Sequence, residues 1–501
     1  MGRAVRLDLS TLGSVPAAMR PAYDPSGLGI GIVHLGIGAF HRAHQATYTD
    51  DALATGPGGA RDWGICGVSQ RSRDVPDRLQ PQDGLYTVLE RDSGATRARV
   101  VGCVREVLLA TESPDELRRR IAAAGTRIVS LTVTEKAYRH DPASGRLRVD
   151  DPAVAADLAD PRPGRTVVGQ LVGGLRDRLA AGAGPLTVLS CDNLPANGPL
   201  LRGLVEQFCD RWADPTAGEV RAWVAAEATF PATMVDRIVP ASTDRDLADA
   251  RTLLGVTDQA AVVAEPFRQW VIQDAFAADR PAWQEAGAIL TDDVAPYETR
   301  KLRLLNASHS TLAYLGALAG MTYIWQATAQ PALAEVARRL MDDDASPTLT
   351  TPDGQDLPSY RDQVLRRFAN TAIAHRTQQV AMDGSHKLPQ RLLATARERL
   401  AAGAEPTWVC LAVASWMRYL GGQTDDGSAL EVVDPLAARL REAARGAARP
   451  AALVDRLLAV HEVFGEDLAG AAPFRDRVVD WLERLTRHGA VATARAATGC
   501  G

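Results

Sequence analysis

Ile30-Gly-Ile-Val-His-Leu-Gly36-Ile-Gly38-Ala39-Phe40 is a short apolar run that enters a pair of glycines. Its β-branched residues predict a buried parallel strand, and the glycines a tight turn into a helix. In a dinucleotide loop the first glycine permits the turn, and the second lets backbone amides approach a pyrophosphate at a helix N-terminus. Gly36 and Gly38 fill those places, and Ala39 and Phe40 follow them. The third glycine of G-x-G-x-x-G is missing. His41 stands there, so the helix is expected to pack less closely on the strand. Further strand-like runs at Trp63 to Val68, Arg127 to Val133 and Leu186 to Ser190 alternate with helical spacing at Asp115 to Ala124 and Val167 to Leu179. Such alternation implies an α/β fold, a doubly wound parallel sheet wrapped on both faces.

The chain has 501 residues, more than one core accommodates, so at least two domains are expected. After about residue 290 strand candidates almost vanish, and Ala332–Met341, Tyr360–Phe368, Pro389–Ala401, Leu436–Ala447 and Pro450–Val463 have helical periodicity. Asp292-Asp-Val-Ala-Pro-Tyr297 combines charge and proline, which sets the expected domains at 1–291 and 292–501. The second is expected to be mostly α-helical.

Composition narrows the function. With 46% hydrophobic residues, 23% charged residues and a formal net charge of -5, nothing favours a polyanionic partner, and no basic block or aromatic-basic alternation points to nucleic acid. The six cysteines are scattered without a C-x-x-C pair, which reads as reduced thiols in a cytoplasmic protein. The start has no apolar leader, and Arg6 stands where a myristoylation signal needs Ser or Thr. Leu304 to Ala334 carries no formal charge, but Asn306, Ser308, His309, Gln326, Gln330 and Pro331 predict a helix buried in protein, not in lipid. No membrane partner is expected, and a monomer is compatible with everything in the sequence.

Lys301-Leu-Arg-Leu-Leu-Asn306-Ala-Ser-His309 sets an amine, an amide and an imidazole along one helix-compatible run. At about 100° per residue, His309 projects about 80° round from Lys301 and Asn306 about 140°, so all three fit one broad face. A lysine buried among leucines has its ammonium form disfavoured and becomes able to take a proton from an alcohol as hydride leaves. Asn306 and a second amide, Asn193 in Ser190-Cys-Asp-Asn193, would stabilise the developing alkoxide. Tyr297-Glu-Thr-Arg-Lys301 also matches the Tyr-x-x-x-Lys pair of short-chain dehydrogenases, but it lies about 260 residues beyond the glycine loop and is read as coincidence. His34, His41 and His44 lack the carboxylate or thiolate spacing of a zinc site, so no metal is expected.

The second strand ends Gly67-Val-Ser-Gln70-Arg71 without the acidic residue that usually holds the ribose hydroxyls in NAD enzymes. Arg71 or Arg73 would suit a 2′-phosphate. NAD is the expected cofactor, with NADP as the alternative.

These motifs resemble the mannitol dehydrogenase family, the polyol-specific long-chain dehydrogenases. The resemblance runs through Val33 to Gln45, Ser130-Leu-Thr-Val-Thr-Glu-Lys136, Ser190 to Asn193, Phe230-Pro-Ala-Thr-Met-Val-Asp-Arg-Ile-Val-Pro240, Lys301 to His309 and Asp383-Gly-Ser-His-Lys387. It implies a Rossmann-type N-terminal domain and a helical C-terminal domain. It also implies Lys301 as general acid/base, Asn193 and Asn306 as carbonyl-oxygen donors, His309 as a substrate-orienting group and Glu298 as an aid to proton exchange. Asp236 and Lys387 match substrate-site positions. The stretch His375 to Arg391 is similar to the fructuronate reductase (mannonate oxidoreductase) branch, as are Glu265 to Ile272 and Trp416 to Tyr419. Gln379 stands where mannitol enzymes often carry arginine. A uronate carboxylate needs a cationic partner, for which Arg376, Lys387 and Arg391 are the candidates. The resulting expectation is an NAD(P)-dependent oxidoreductase acting on an open-chain sugar acid or polyol. D-mannonate and D-fructuronate are favoured over mannitol and fructose, and a catalytically silent nucleotide-binding protein is the remote alternative.

Overall fold

Six parallel strands carry the first half of the chain: β1 (Ile30–Leu35), β2 (Gly64–Ser69), β3 (Val104–Leu109), β4 (Ile128–Leu131), β5 (Leu186–Ser190) and β6 (Ala228–Thr229). In the computed structural model they lie in the order β3-β2-β1-β4-β5-β6, each hydrogen-bonded in parallel to its neighbour. The order reverses between β1 and β4, which is where an open α/β sheet presents its ligand crevice. The structure describes residues 5–55, 61–141, 144–160, 162, 164–351, 354–447 and 449–500; residues 1–4, part of the start read above for a leader, lie outside them.

Alternate strand residues feed two separate cores. Val33, Leu35, Val68, Val129, Leu131 and Val188 point into one, and Ile32, Ile65, Ile128 and Leu189 into the other. A sheet buried on both faces needs such near-continuous apolar strands. α1 (Ala39–Ala43) and α2 (Gln45–Thr55) follow the glycine loop and serve the second core. The first core is closed by α3 (Pro114–Ala122), α4 (Val167–Ala181), α5 (Asn197–Cys209) and α6 (Ala217–Glu227).

The sequence expectation of helices on both faces needs one correction. Much of the second core is closed by strands. One small sheet pairs Tyr86–Asp92 with Ala95–Val101 and with Val262–Ala264. Another joins β7 (Thr233–Asp236), β8 (Gln269–Gln273) and β9 (Ile289–Thr291), and carries Trp270 into the core. The Ser93-Gly94 dipeptide between the first two strands was a legible turn signal.

The chain divides into two compact units, Met1–Val294 and Ala295–Gly501. Every named element of the second is helical. α7 (Ala295–Arg300) runs into a π-helical turn at Lys301–Asn306 and continues as α8 (Ala307–Leu318), all twelve residues of which are buried. Among the described residues no helix is long and apolar enough to cross a membrane. Helices Thr377–Ala381 and Thr407–Tyr419 pack on α8. The expected single helix Pro450–Val463 is two, Pro450–Leu458 and His461–Ala469. Val460 leaves the helical region at φ -79, ψ 80, and no proline or glycine marks the break.

Close packing fixes the helix Gly384–Leu388. A Cβ on Gly384 would lie 2.2 Å from Trp416 Nε1 and 2.9 Å from the Tyr314 hydroxyl. Gly384→Val is therefore expected to destabilise the second unit by about 1–3 kcal/mol, the usual cost of overpacking, read as a lower thermal unfolding midpoint.

Candidate active site

The glycine loop sits at the sheet's switch point. Gly36 has φ +101, and a Cβ there would fall 2.2 Å from the Thr132 carbonyl oxygen, so only glycine fits between β1 and the end of β4. At Gly38 the Cβ position is open, which leaves the backbone approachable. Ala39 and Phe40 begin α1, partly buried against the second core. His41, in the place of the third glycine, is buried and lies flat on His34 with ring centroids 3.4 Å apart. A stacked pair thus fills the space that helix-strand contact would otherwise occupy.

Two of the three histidines near this loop are held by hydrogen bonds. His34 Nδ1 is bonded to the Ser130 hydroxyl and Nε2 to the Thr132 hydroxyl, both at 2.8 Å. Thr132 donates its own proton to the Gly36 carbonyl at 2.9 Å, so His34 carries its proton on Nε2. Burial pushes His34 down to about 3 and His44 likewise to about 3, and holds His41 well below the ordinary imidazole value. His44 Nε2 meets the Gln269 carbonyl at 2.8 Å, tying the first helices to β8. These loop features fit a dinucleotide.

At the end of β2, Arg73 is engaged with Glu112, its Nε donating to Oε1 at 2.7 Å. Arg71 is exposed there, and Gln70 accepts from Gln170 Nε2 at 3.0 Å. Asn193 is exposed just beyond β5, next to buried Asp192. Asp236 is buried at the end of β7, opposite Gln269.

In the second unit the wall Lys301 to His309 departs from the regular helix that the sequence expectation assumed. The π turn inserts one residue into the helical repeat. Asn306 then takes the place of position i+4 and His309 that of i+7, about 40° and about 20° off the Lys301 direction. The broad face of the sequence reading narrows to a stripe. Lys301, Asn306 and His309 are 7%, 5% and 7% exposed. Asn306 Nδ2 and His309 Nε2 have no hydrogen-bond partner among the described residues, and both are buried. Glu298, half-buried on α7, stands one turn before the lysine.

Arg391 lies on a second π turn, Pro389–Leu393, and donates to the Ser310 hydroxyl at 3.1 Å and towards the Asn306 carbonyl at 3.5 Å. Lys387 Nζ donates to the Val380 carbonyl at 3.2 Å. His309 stacks on Phe368 at 4.6 Å, with the edge of His375 at 4.9 Å. Burial, then the neighbouring His375 ring and the positive fields of Arg391, Lys387 and Arg367, hold His309 well below its ordinary value. His375 is itself pushed down to about 4 by burial and by Lys387. Both imidazoles are neutral at physiological pH, and positive charge converges on His309. Arg376 and Gln379 are exposed at the start of the helix Thr377–Ala381.

Sequence reasoning missed Arg367, Phe368 and His375 as neighbours of His309. The signal was present for Arg367. It shares the buried face of the helix Leu357–Phe368 with Tyr360, Val364 and Phe368, a charge where the periodicity asks for an apolar residue.

Comparison with known proteins agrees with both halves. The family model for the mannitol dehydrogenase Rossmann domain matches residues 30–285, and that for the mannitol dehydrogenase C-terminal domain matches residues 293–486. Among curated relatives, the uncharacterized oxidoreductase YdfI of Escherichia coli is 44% identical over 95% of this chain and 97% of its own length. The D-mannonate oxidoreductase of Escherichia coli is 42% identical over 95% and 97%. The mannitol 2-dehydrogenase of Pseudomonas fluorescens, solved as a ternary complex with NAD and D-mannitol, superposes with a TM-score of 0.89 at 37% identity, covering 99% of this chain and all of that one. A sheet in Rossmann order, a buried lysine wall and full-length similarity converge: the chain belongs to the mannitol dehydrogenase family and is a polyol or sugar-acid dehydrogenase acting on CH–OH groups.

Proposed function

We propose that this chain interconverts D-mannonate and D-fructuronate, using NAD. The observation that carries the choice is the convergence of Arg367, Lys387 and Arg391 on His309, since a uronate differs from a neutral ketose by a carboxylate that needs such a field. The similarity to a D-mannonate oxidoreductase over nearly the whole chain supports the same reading. Mannitol and fructose are the second reading, supported by the likeness to a mannitol 2-dehydrogenase solved with D-mannitol.

In this mechanism bound NAD supplies a hydride acceptor at the carbinol carbon. Lys301 takes the hydroxyl proton as the alcohol is oxidised and returns it in the reverse direction. Glu298, one turn away, relays that proton towards solvent. Asn306 Nδ2 donates to the developing oxyanion, and its lack of another partner suits a ligand oxygen. Neutral His309 accepts from or donates to a substrate hydroxyl. Lys387 and Arg391 receive the carboxylate, with Arg376 and Gln379 as peripheral contacts. Gly36, Gly38, Ala39 and Phe40 hold the pyrophosphate end. Arg71, exposed beyond β2, is the residue that NADP would recruit.

Lys301→Ala is expected to lower kcat by about 10²–10⁴-fold while leaving NADH binding within about twofold, as loss of a general acid/base requires. Unchanged turnover would sink the reading. A panel of ketoses and uronates, run with NADH and with NADPH and followed by nicotinamide absorbance, tests the substrate. Fructuronate should be reduced with higher kcat/KM than fructose. Arg391→Gln should raise KM for fructuronate by about tenfold or more, the loss of a charge-assisted contact, and that for fructose much less. Fructose preferred by the wild type would return the choice to the mannitol reading.

A further inference from the structure

The turn after β4 is held by a carboxylate that the mechanism above does not use. Asp192 is buried beyond the end of β5. Its Oδ2 accepts the Val133 N–H at 3.0 Å and the Tyr138 hydroxyl at 2.7 Å, and its Oδ1 accepts the Thr134 N–H at 2.8 Å. Thr134 sits at φ 72, ψ 155, a conformation that disfavours any β-branched residue and persists only where surroundings enforce it. Thr132, two residues earlier, is the contact to the glycine loop: its hydroxyl donates to the Gly36 carbonyl, and its own carbonyl closes over the missing Gly36 Cβ. One chain of contacts therefore runs from Asp192 through a strained turn to the floor of the dinucleotide loop.

We propose that Asp192 is a positioning residue, whose carboxylate holds the Thr132–Tyr138 turn against Gly36 and thereby sets the affinity for the dinucleotide. The proposal rests on the reading of the first unit as a nicotinamide-dinucleotide site. A protonated Asp192 has lost acceptor capacity and cannot satisfy Val133, Thr134 and Tyr138 together. Within the first unit the titratable groups facing it are Tyr138, Glu135 and Cys191; Lys136, on the same turn, is exposed, and His34 lies beyond Ser130 and Thr132. Burial raises the Asp192 carboxyl to about 6 against the lowering effect of its three hydrogen bonds, with Glu135 adding a little upward. Because the carboxylate is the holding form, affinity is present above that value and is lost as pH falls through it.

The test is NADH titration of the full chain, followed by nicotinamide fluorescence between about pH 5 and pH 8, with folding monitored by circular dichroism. Wild-type affinity should fall about tenfold from pH 8 to pH 5, as one proton binding near pH 6 dictates. Asp192→Asn should bind about tenfold more weakly at pH 8, show no such step, and keep kcat within about threefold at saturating NADH. Tyr138→Phe retains the carboxylate and should keep the step with a smaller loss. A folded Asp192→Asn that matches the wild type at pH 8, or retains the step, overturns the proposal. If that variant does not fold, a wild type without a step, or Tyr138→Phe without one, overturns it equally. A wild type that binds neither NADH nor NADPH overturns the dinucleotide reading and this proposal together, whereas normal binding without a step overturns this proposal alone.

Discussion

A helix buried on every side leaves no water for polar side chains, and in the second unit such a helix bears a histidine and follows directly on a π turn that carries a lysine and an asparagine. Each buried polar atom without a partner costs about 1–3 kcal/mol. The surrounding helices meet part of that demand. Arg391 reaches the Asn306 carbonyl and Ser310, and Phe368 and His375 enclose the His309 ring. Among the groups they leave unmet are an amide hydrogen on Asn306 and a ring nitrogen on His309. In the proposed mechanism the substrate's oxygens supply both partners, so burial at this wall favours binding.

Charge is managed differently in the two units. Around His309 several cationic side chains converge, and the imidazole answers by staying neutral. Around the glycine loop the histidines are neutral because they are buried, and two of them act as hydrogen-bonding struts, His34 from β1 to β4 and the residue after it, and His44 from the first helices to β8. The His-Arg-Ala-His run is in this sense wiring. Arg42 donates to the Ala260 carbonyl while its own carbonyl accepts from Tyr86, and neither contact concerns a substrate.

Four of the sheet's six strands were legible because they are apolar on both faces, as Val33, Leu35 and Ile32 illustrate; Val104–Leu109, interrupted by charge, and the two-residue Ala228–Thr229 were not. The residues of the lysine wall were legible as types, since an amine among leucines is conspicuous. Its geometry was not, because a π turn is marked by no residue type and its angular consequence cannot be reached from an assumed 100° step. The strands covering the second core were missed because their alternation is diluted by charged positions such as exposed Arg97 and half-buried Arg99. Asp192 was read only as the neighbour of Asn193; nothing local shows that a carboxylate will meet a turn some sixty residues earlier, although Tyr138 and Thr134 are both in the sequence.

The π turn also lets the wall absorb one change in residue count between its lysine and its asparagine. A one-codon deletion between Lys301 and Asn306 would allow an unbroken α-helix to form, retain every polar side chain of the wall and improve the backbone hydrogen bonding locally. The same change would leave Asn306 and His309 in nearly the same directions from the lysine, because the π turn already absorbs the extra residue. Loss of one residue there is a length change that the site absorbs, whereas a further in-frame insertion or deletion, which a motif search would not register, would turn the amide and the imidazole about 100° away from the lysine.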